Sequence, residues 1–192
     1  MDEFVEKGEF GHIRYKDRFN FFSEAVELTN NCKVYSIAAT LNKQEYEQYI
    51  HEKIRKTFSI YGFCFMLLAY INGRQAQHMK FREKIAYLFD YAPHRNHIMV
   101  ARDRILEWEK ENKFIKNMGS LTFDGDVNIS ALQVADIVAW GVRRKISNIQ
   151  LNKGFEPIEN LFNKEHHMQY GWESDFLKGF ADDINQIVPE LT

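Results

Sequence analysis

Three short runs of β-branched and aromatic residues punctuate this chain: Lys33–Leu41 (K-V-Y-S-I-A-A-T-L), Lys84–Asp90 (K-I-A-Y-L-F-D) and Gly119–Phe123 (G-S-L-T-F). Each has the length and residue types of a strand. Between and around them lie longer stretches with a helical apolar period. Asp17 caps a helix running to about Asn30, on the stripe Phe21, Phe22, Ala25, Val26 and Leu28. A helical region extends from Lys43 to Ile71, broken near Thr57, and Asn72-Gly73 gives a stop signal. Further helices are expected from Asn96 to Asn112, from Ser130 to Ser147, near Pro157, and from Trp172 to Val188. Strands alternating with helices of this length imply a parallel or mostly parallel sheet covered by helices. The fold class expected is therefore α/β, with a mostly parallel central sheet of few strands flanked by helices.

The chain's 192 residues suit one domain, and 45% hydrophobic with 15% aromatic residues supply a core. With 25 Lys and Arg against 27 Asp and Glu, the formal net charge is −2, unlike a protein that coats DNA by neutralising phosphates. Two cysteines, Cys32 and Cys64, make neither a disulfide framework nor a structural zinc site by themselves, so a reduced, cytoplasmic setting is expected. The first residues, M-D-E-F-V-E-K, do not read as a signal peptide, and the longest apolar stretch, Tyr61–Ile71, is short of the roughly 20 residues a membrane helix needs. No membrane partner is expected.

In parallel sheets ligands sit outside the carboxyl ends of the strands. Here the second strand ends in Asp90 and the third runs into Asp124, with Asp126 close behind. Gln133 and Asp136 are the polar residues of the apolar run from Ala131 to Val142, and their spacing puts them on one helix face. Burying such a carboxylate is costly unless a cation or several donors meet it. Converging carboxylates suit Mg²⁺ or Mn²⁺, which take oxygen ligands, keep several waters and share the rest with substrate phosphate. Structural alternatives stand beside each residue. An Asp after a strand commonly caps a helix or makes a turn, and Asp136 can pair with Arg143.

His94 and His97 form H-x-x-H close to Asp90, but zinc would need a third ligand that the sequence does not identify. His94 is either a phosphate-facing residue or a surface turn histidine. Arg143, Arg144 and Lys145 either suit the end of their helix electrostatically or touch nucleic-acid backbone. His166 and His167 lie in a polar, solvated segment, and Cys64 is most simply core. No P-loop or G-x-G-x-x-G is present.

G-S-L-T-F followed by A-L-Q-V-A-D-I-V-A-W-G-V-R-R resembles the signature of the bacterial domain of unknown function 3800 family. Upstream, K-I-A-Y-L-F-D-Y-A-P-H-R-N is similar to that family's strand with a terminal acid and a following G-H-R-N-like turn, and His12 looks like part of an F-H element. The resemblance covers about Phe10 to Lys145. It implies a ribonuclease-H-like fold, here truncated, because the family's opening strand ending in D-E-S-G has no counterpart around Asp2-Glu3. It divides the chain into a core at about residues 10–147 and a helical extension at about residues 148–192 of one domain. It implies a metal-dependent nuclease, of reduced or lost activity, and puts Asp90 and Asp136 at acidic-site positions. The family's third acid falls nearest Gly125, where either Asp124 or Asp126, or neither, stands in for it. The full expected set is thus Asp90, Asp136 and Asp124 as catalytic and Asp90, Asp124, Asp126 and Asp136 as ligands of Mg²⁺ or Mn²⁺. His94, Arg143 and Arg144 would then bind substrate. Nucleic acid is the expected partner, together with a second copy or another chain covering the exposed sheet edge. Rival readings are a non-catalytic remnant or interaction module, and a hydrolase of a small phosphorylated substrate.

Overall fold

A computed structural model describes residues 14–31, 36–90, 93–111, 117–125, 130–146, 156–161, 167–170 and 174–187. The chain forms two compact units, each discontinuous in sequence: residues 1–38 with 129–169, and residues 39–128 with 170–192.

The first unit pairs α1 (Tyr15–Asn31) with α6 (Ser130–Ile146), together with a 3-10 helix at Glu156–Leu161. Helix α1 starts before Asp17, which lies in the first turn and binds the Arg14 guanidinium at 3.0 Å. A carboxylate there complements the positive end of the helix. Phe22 and Val26 of α1 meet Val138, Trp140 and Val142 of α6, and the Phe22 and Trp140 rings lie parallel at 6.5 Å. Two short strands, β1 (Ser36–Ala39) and β4 (His167–Tyr170), pair with each other. Strand β4 includes His167, in a segment for which the sequence suggested no strand.

The second unit holds α2 (Lys43–Tyr49), α3 (Glu52–Thr57), α4 (Ile60–His78), β2 (Ile85–Asp90), α5 (Arg95–Lys110), β3 (Met118–Asp124) and α7 (Ser174–Ile187). The expected helical region is thus three helices. His51 Nδ1 accepts from Lys53 N to start α3, and Ser59 Oγ accepts from Gly62 N to start α4. Asn72-Gly73 does not stop α4, which continues to His78. Gly73 is buried there, and tertiary packing outweighs its low helix propensity.

Helix α4 is buried on several sides and organises this unit. Phe63 meets Tyr46 and Phe180, while Phe65 sets its ring at right angles to Tyr87 and nearly so to Phe89. Strands β2 and β3 are parallel, and α5 connects them as a βαβ unit. The expected single central sheet is not what the described residues form. They make two two-stranded sheets, β1–β4 and β2–β3, and the β2–β3 pair is parallel. The class is mixed α/β, with helices predominating. No helix among the described residues is long and apolar enough to cross a membrane.

Candidate functional site

The carboxyl edge of β2–β3 is where the second unit collects its chemistry. The register pairs Phe89 with Phe123 and Asp90 with Asp124. In parallel strands, paired residues point to the same face, and neighbouring strands lie about 4.8 Å apart. Two carboxylates therefore stand side by side at the ends of adjacent strands. Asp90 is exposed; Asp124 is half-buried, and its Oδ1 accepts from Gly125 N at 2.7 Å.

The amino ends of α4 and α5 reach this edge. Gly62 allows a close crossing, since a Cβ there would come within 2.9 Å of the His97 carbonyl oxygen. One residue earlier, the Tyr61 ring lies flat on the His94 imidazole, with centroids 3.5 Å apart and planes 12° from parallel. His94 is the N-cap of α5, but its side chain makes no capping hydrogen bond. Its ring serves the stack instead. His97 is exposed, its ring 6.3 Å from that of His94. Arg95 sets its guanidinium 5.1 Å over the Phe123 ring, so the start of α5 leans on the end of β3. This contact and the short link from Asp90 bring His94 and Arg95 to the carboxylate edge.

Asp126 lies outside the described residues. Asp136, Arg143 and Arg144 are on α6 of the first unit. Gln133, Asp136 and Arg143 are exposed, so the burial cost that singled out Asp136 does not arise. Among the described residues, no group of three His, Cys, Asp or Glu could hold a metal ion. The expected four-acid metal set is thus not assembled among them. His94 and His97 likewise gain no third zinc ligand. The pair Asp90 and Asp124 fits a narrower role. Mg²⁺ commonly takes one or two carboxylates and completes its sphere with water and substrate phosphate.

No protein-family model matches the chain, and no curated protein or solved structure is significantly similar to it. The resemblance described above therefore rests on the quoted motifs.

Sequence reasoning missed Tyr61 and Arg95. Tyr61 continues the apolar period of its helix, so it reads as core, yet it is 50% exposed. Its neighbour Gly62, at the start of a helix, was the available signal for a close crossing. Cys64 is a partly buried thiol whose pKa burial pushes up to about 11, so nucleophilic use is disfavoured. A cavity of about 440 Å³ opens in the first unit between α1 and the 3-10 helix, lined by Phe19, Ser23, Glu27, Asn30, Glu156 and Pro157 among others. It offers carboxylates, amides and the Ser23 hydroxyl, with no histidine, lysine or arginine in its lining to act as base or cation, so the strand edge remains the better chemical candidate.

Proposed function

We propose that the chain is a metal-dependent phosphodiesterase acting on nucleic acid, with its reacting centre at the carboxyl edge of β2–β3. The observation that carries this reading is the side-by-side register of Asp90 and Asp124. These two residues would hold Mg²⁺ or Mn²⁺, which supplies a polarised phosphoryl oxygen and an acidified water. Asp90 and Asp124 would supply carboxylate oxygens to such an ion, with solvent and substrate phosphate as its further ligands. Arg95 offers N–H donors for a phosphate oxygen, and the unpaired backbone N–H groups at the start of α5 favour negative charge in the same place. Asp136 enters the proposal through the family resemblance, and Arg143 and Arg144 through the basic run at the end of their helix.

One contact favours a second reading. The Asp124 Oδ1 bond to Gly125 N is the kind of turn an aspartate makes for structural reasons. On that reading the chain is a non-catalytic interaction module.

Cleavage of labelled DNA and RNA with and without Mg²⁺ or Mn²⁺ separates the two. The expected result is divalent-dependent cleavage, reduced by about a hundredfold or more in Asp90→Asn and Asp124→Asn. Asp136→Asn reports whether α6 contributes. Cleavage untouched by Asp90→Asn would remove the strand edge from the chemistry. Absence of cleavage, with no metal-induced shift in melting, would leave the second reading.

A further inference from the structure

The chain's formal net charge is −2, and the candidate edge itself carries two carboxylates. Phosphate neutralisation, which dominates the affinity of most nucleic-acid binders, is therefore weak here. Affinity for such a polymer must come mainly from its bases, and a base offers a flat π-face. Tyr61 offers the complement. One face of its ring is occupied by the His94 imidazole, and the residue is nonetheless 50% exposed. A half-exposed aromatic ring already fixed on one side loses little freedom when a further ring stacks on it. Its backbone is held as well, because the adjacent Gly62 packs against the His97 carbonyl.

We infer that the Tyr61–His94 stack is a platform for an unpaired base, and that the ligand at this edge is single-stranded nucleic acid. This deepens the phosphodiesterase reading, on which it rests for nucleic acid as the class of ligand. In a duplex each base is already covered by its neighbours, so a stacking platform selects unpaired strands. Arg95 provides the phosphate contact next to the platform. Its guanidinium carbon lies 5.1 Å over the Phe123 ring, and the guanidinium carries five N–H donors for phosphate oxygens. With so few phosphate contacts the salt dependence of binding is shallow, with a log–log slope of about −1 rather than the steep slope of a basic binder.

The test is fluorescence anisotropy of the full chain with dye-labelled oligothymidylate, oligouridylate and a matched duplex, in EDTA so that no strand is cut. Both single strands should bind, and the duplex about tenfold or more weaker. Tyr61→Ala and Tyr61→Leu should each weaken single-strand binding about tenfold, the loss expected for one base stack, whereas Tyr61→Phe keeps it. Tyr61→Leu retains apolar bulk, so it remains informative if the alanine variant folds poorly. Equal binding by wild type and Tyr61→Leu, equal binding of duplex and single strand, or no binding by wild type would each overturn the platform. Single-strand binding without any divalent-dependent cleavage would instead sink the phosphodiesterase and leave the platform standing. Cleavage with a KM indifferent to Tyr61→Leu would do the reverse.

Discussion

The two ends of the β2–β3 pair treat their carboxylates in opposite ways. At the amino end Glu109, near the close of α5, is only 6% exposed. Its Oε1 accepts from Asn117 N at 2.9 Å and Met118 N at 2.6 Å, and its Oε2 takes the Lys84 ammonium at 3.3 Å. Ile85 N in turn donates to Asn117 O at 2.8 Å, so both strands start from one hydrogen-bonded knot. At the carboxyl end Asp90 is exposed, and Asp124 bonds its own turn. The same helix closes the first end with Glu109 and leans on the second with Arg95. The difference teaches how a small sheet can bury a carboxylate at one end and keep two more accessible ones at the other. The amino end is tied through Glu109, a register shift follows between Ile85 and Tyr87, and the regular ladder from Tyr87 carries the pairing on to Asp90 and Asp124.

The sharpest way to break this contrast is Glu109→Ala. It strands two backbone N–H groups in the interior, each worth on the order of 1–3 kcal/mol when unpaired. A loss of about 3 kcal/mol in urea denaturation is expected, or a fall in Tm of about 10 °C for a chain of this size. Asp90→Asn should shift stability by no more than about 0.5 kcal/mol while removing cleavage. If both variants lose stability alike, the carboxyl end is structural too and the contrast disappears.

A second test uses glycines at the two ends. A Cβ at Gly119 would come within 2.5 Å of the Ile85 carbonyl oxygen, which is backbone and cannot swing away. Gly119→Ala should therefore cost about 2 kcal/mol by forcing the strands apart. A Cβ at Gly125 would meet nothing within 4 Å, and Gly125→Ala should be nearly neutral. Matched denaturation curves measure both. Equal costs would show that the carboxyl end is packed as tightly as the amino end.

Alkali provides a third and smaller effect. Burial pushes the Tyr87 hydroxyl up to about 12, with the Glu109 charge adding to it, and burial pushes Tyr46 up to about 12 as well. In the unfolded chain a tyrosine titrates near 10. Between about pH 10 and pH 12 the unfolded chain binds fewer protons than the folded one, so stability falls as pH rises. It is fully present below pH 10. Urea midpoints across this window, with tyrosinate absorbance, should decline, and Tyr87→Phe should make the decline shallower. A flat midpoint would mean that Tyr87 is wetter than its contact with Phe65 implies.

Much of the site's frame was legible in the sequence because it depends on local pattern. Strands alternating with helices implied parallel pairing, and parallel pairing put Asp90 and Asp124 at one edge. Features decided by tertiary packing were not legible. Helix α4 passes through Asn72-Gly73 because its surroundings bury Gly73, which no window of local propensity records. Glu109 sits in the charged-looking run W-E-K-E-N, and its burial depends on backbone donors supplied eight and nine residues later. Strand β4 is four residues long and owes its assignment to its partner β1. Asp136 failed in the opposite direction. The apolar run around it promised burial, but its own face of the helix is exposed.

Lys84→Met gives the smallest and most discriminating change. The ammonium is the only charge-bearing donor to Glu109 among the bonds above, yet its side chain is 57% exposed. Water can approach Oε2 from that side once the lysine is gone, so the ion pair is worth under about 1 kcal/mol. The two backbone donors to Oε1 remain. If the knot depends on those donors, Lys84→Met should cost a small fraction of what Glu109→Ala costs, and added salt should barely change wild-type stability. A cost for Lys84→Met approaching that of Glu109→Ala would mean that charge pairing, and not the backbone bonds, closes the amino end. The strands would then be held by an interaction that screening weakens, and the spacing of Asp90 and Asp124 at the other end should respond to ionic strength.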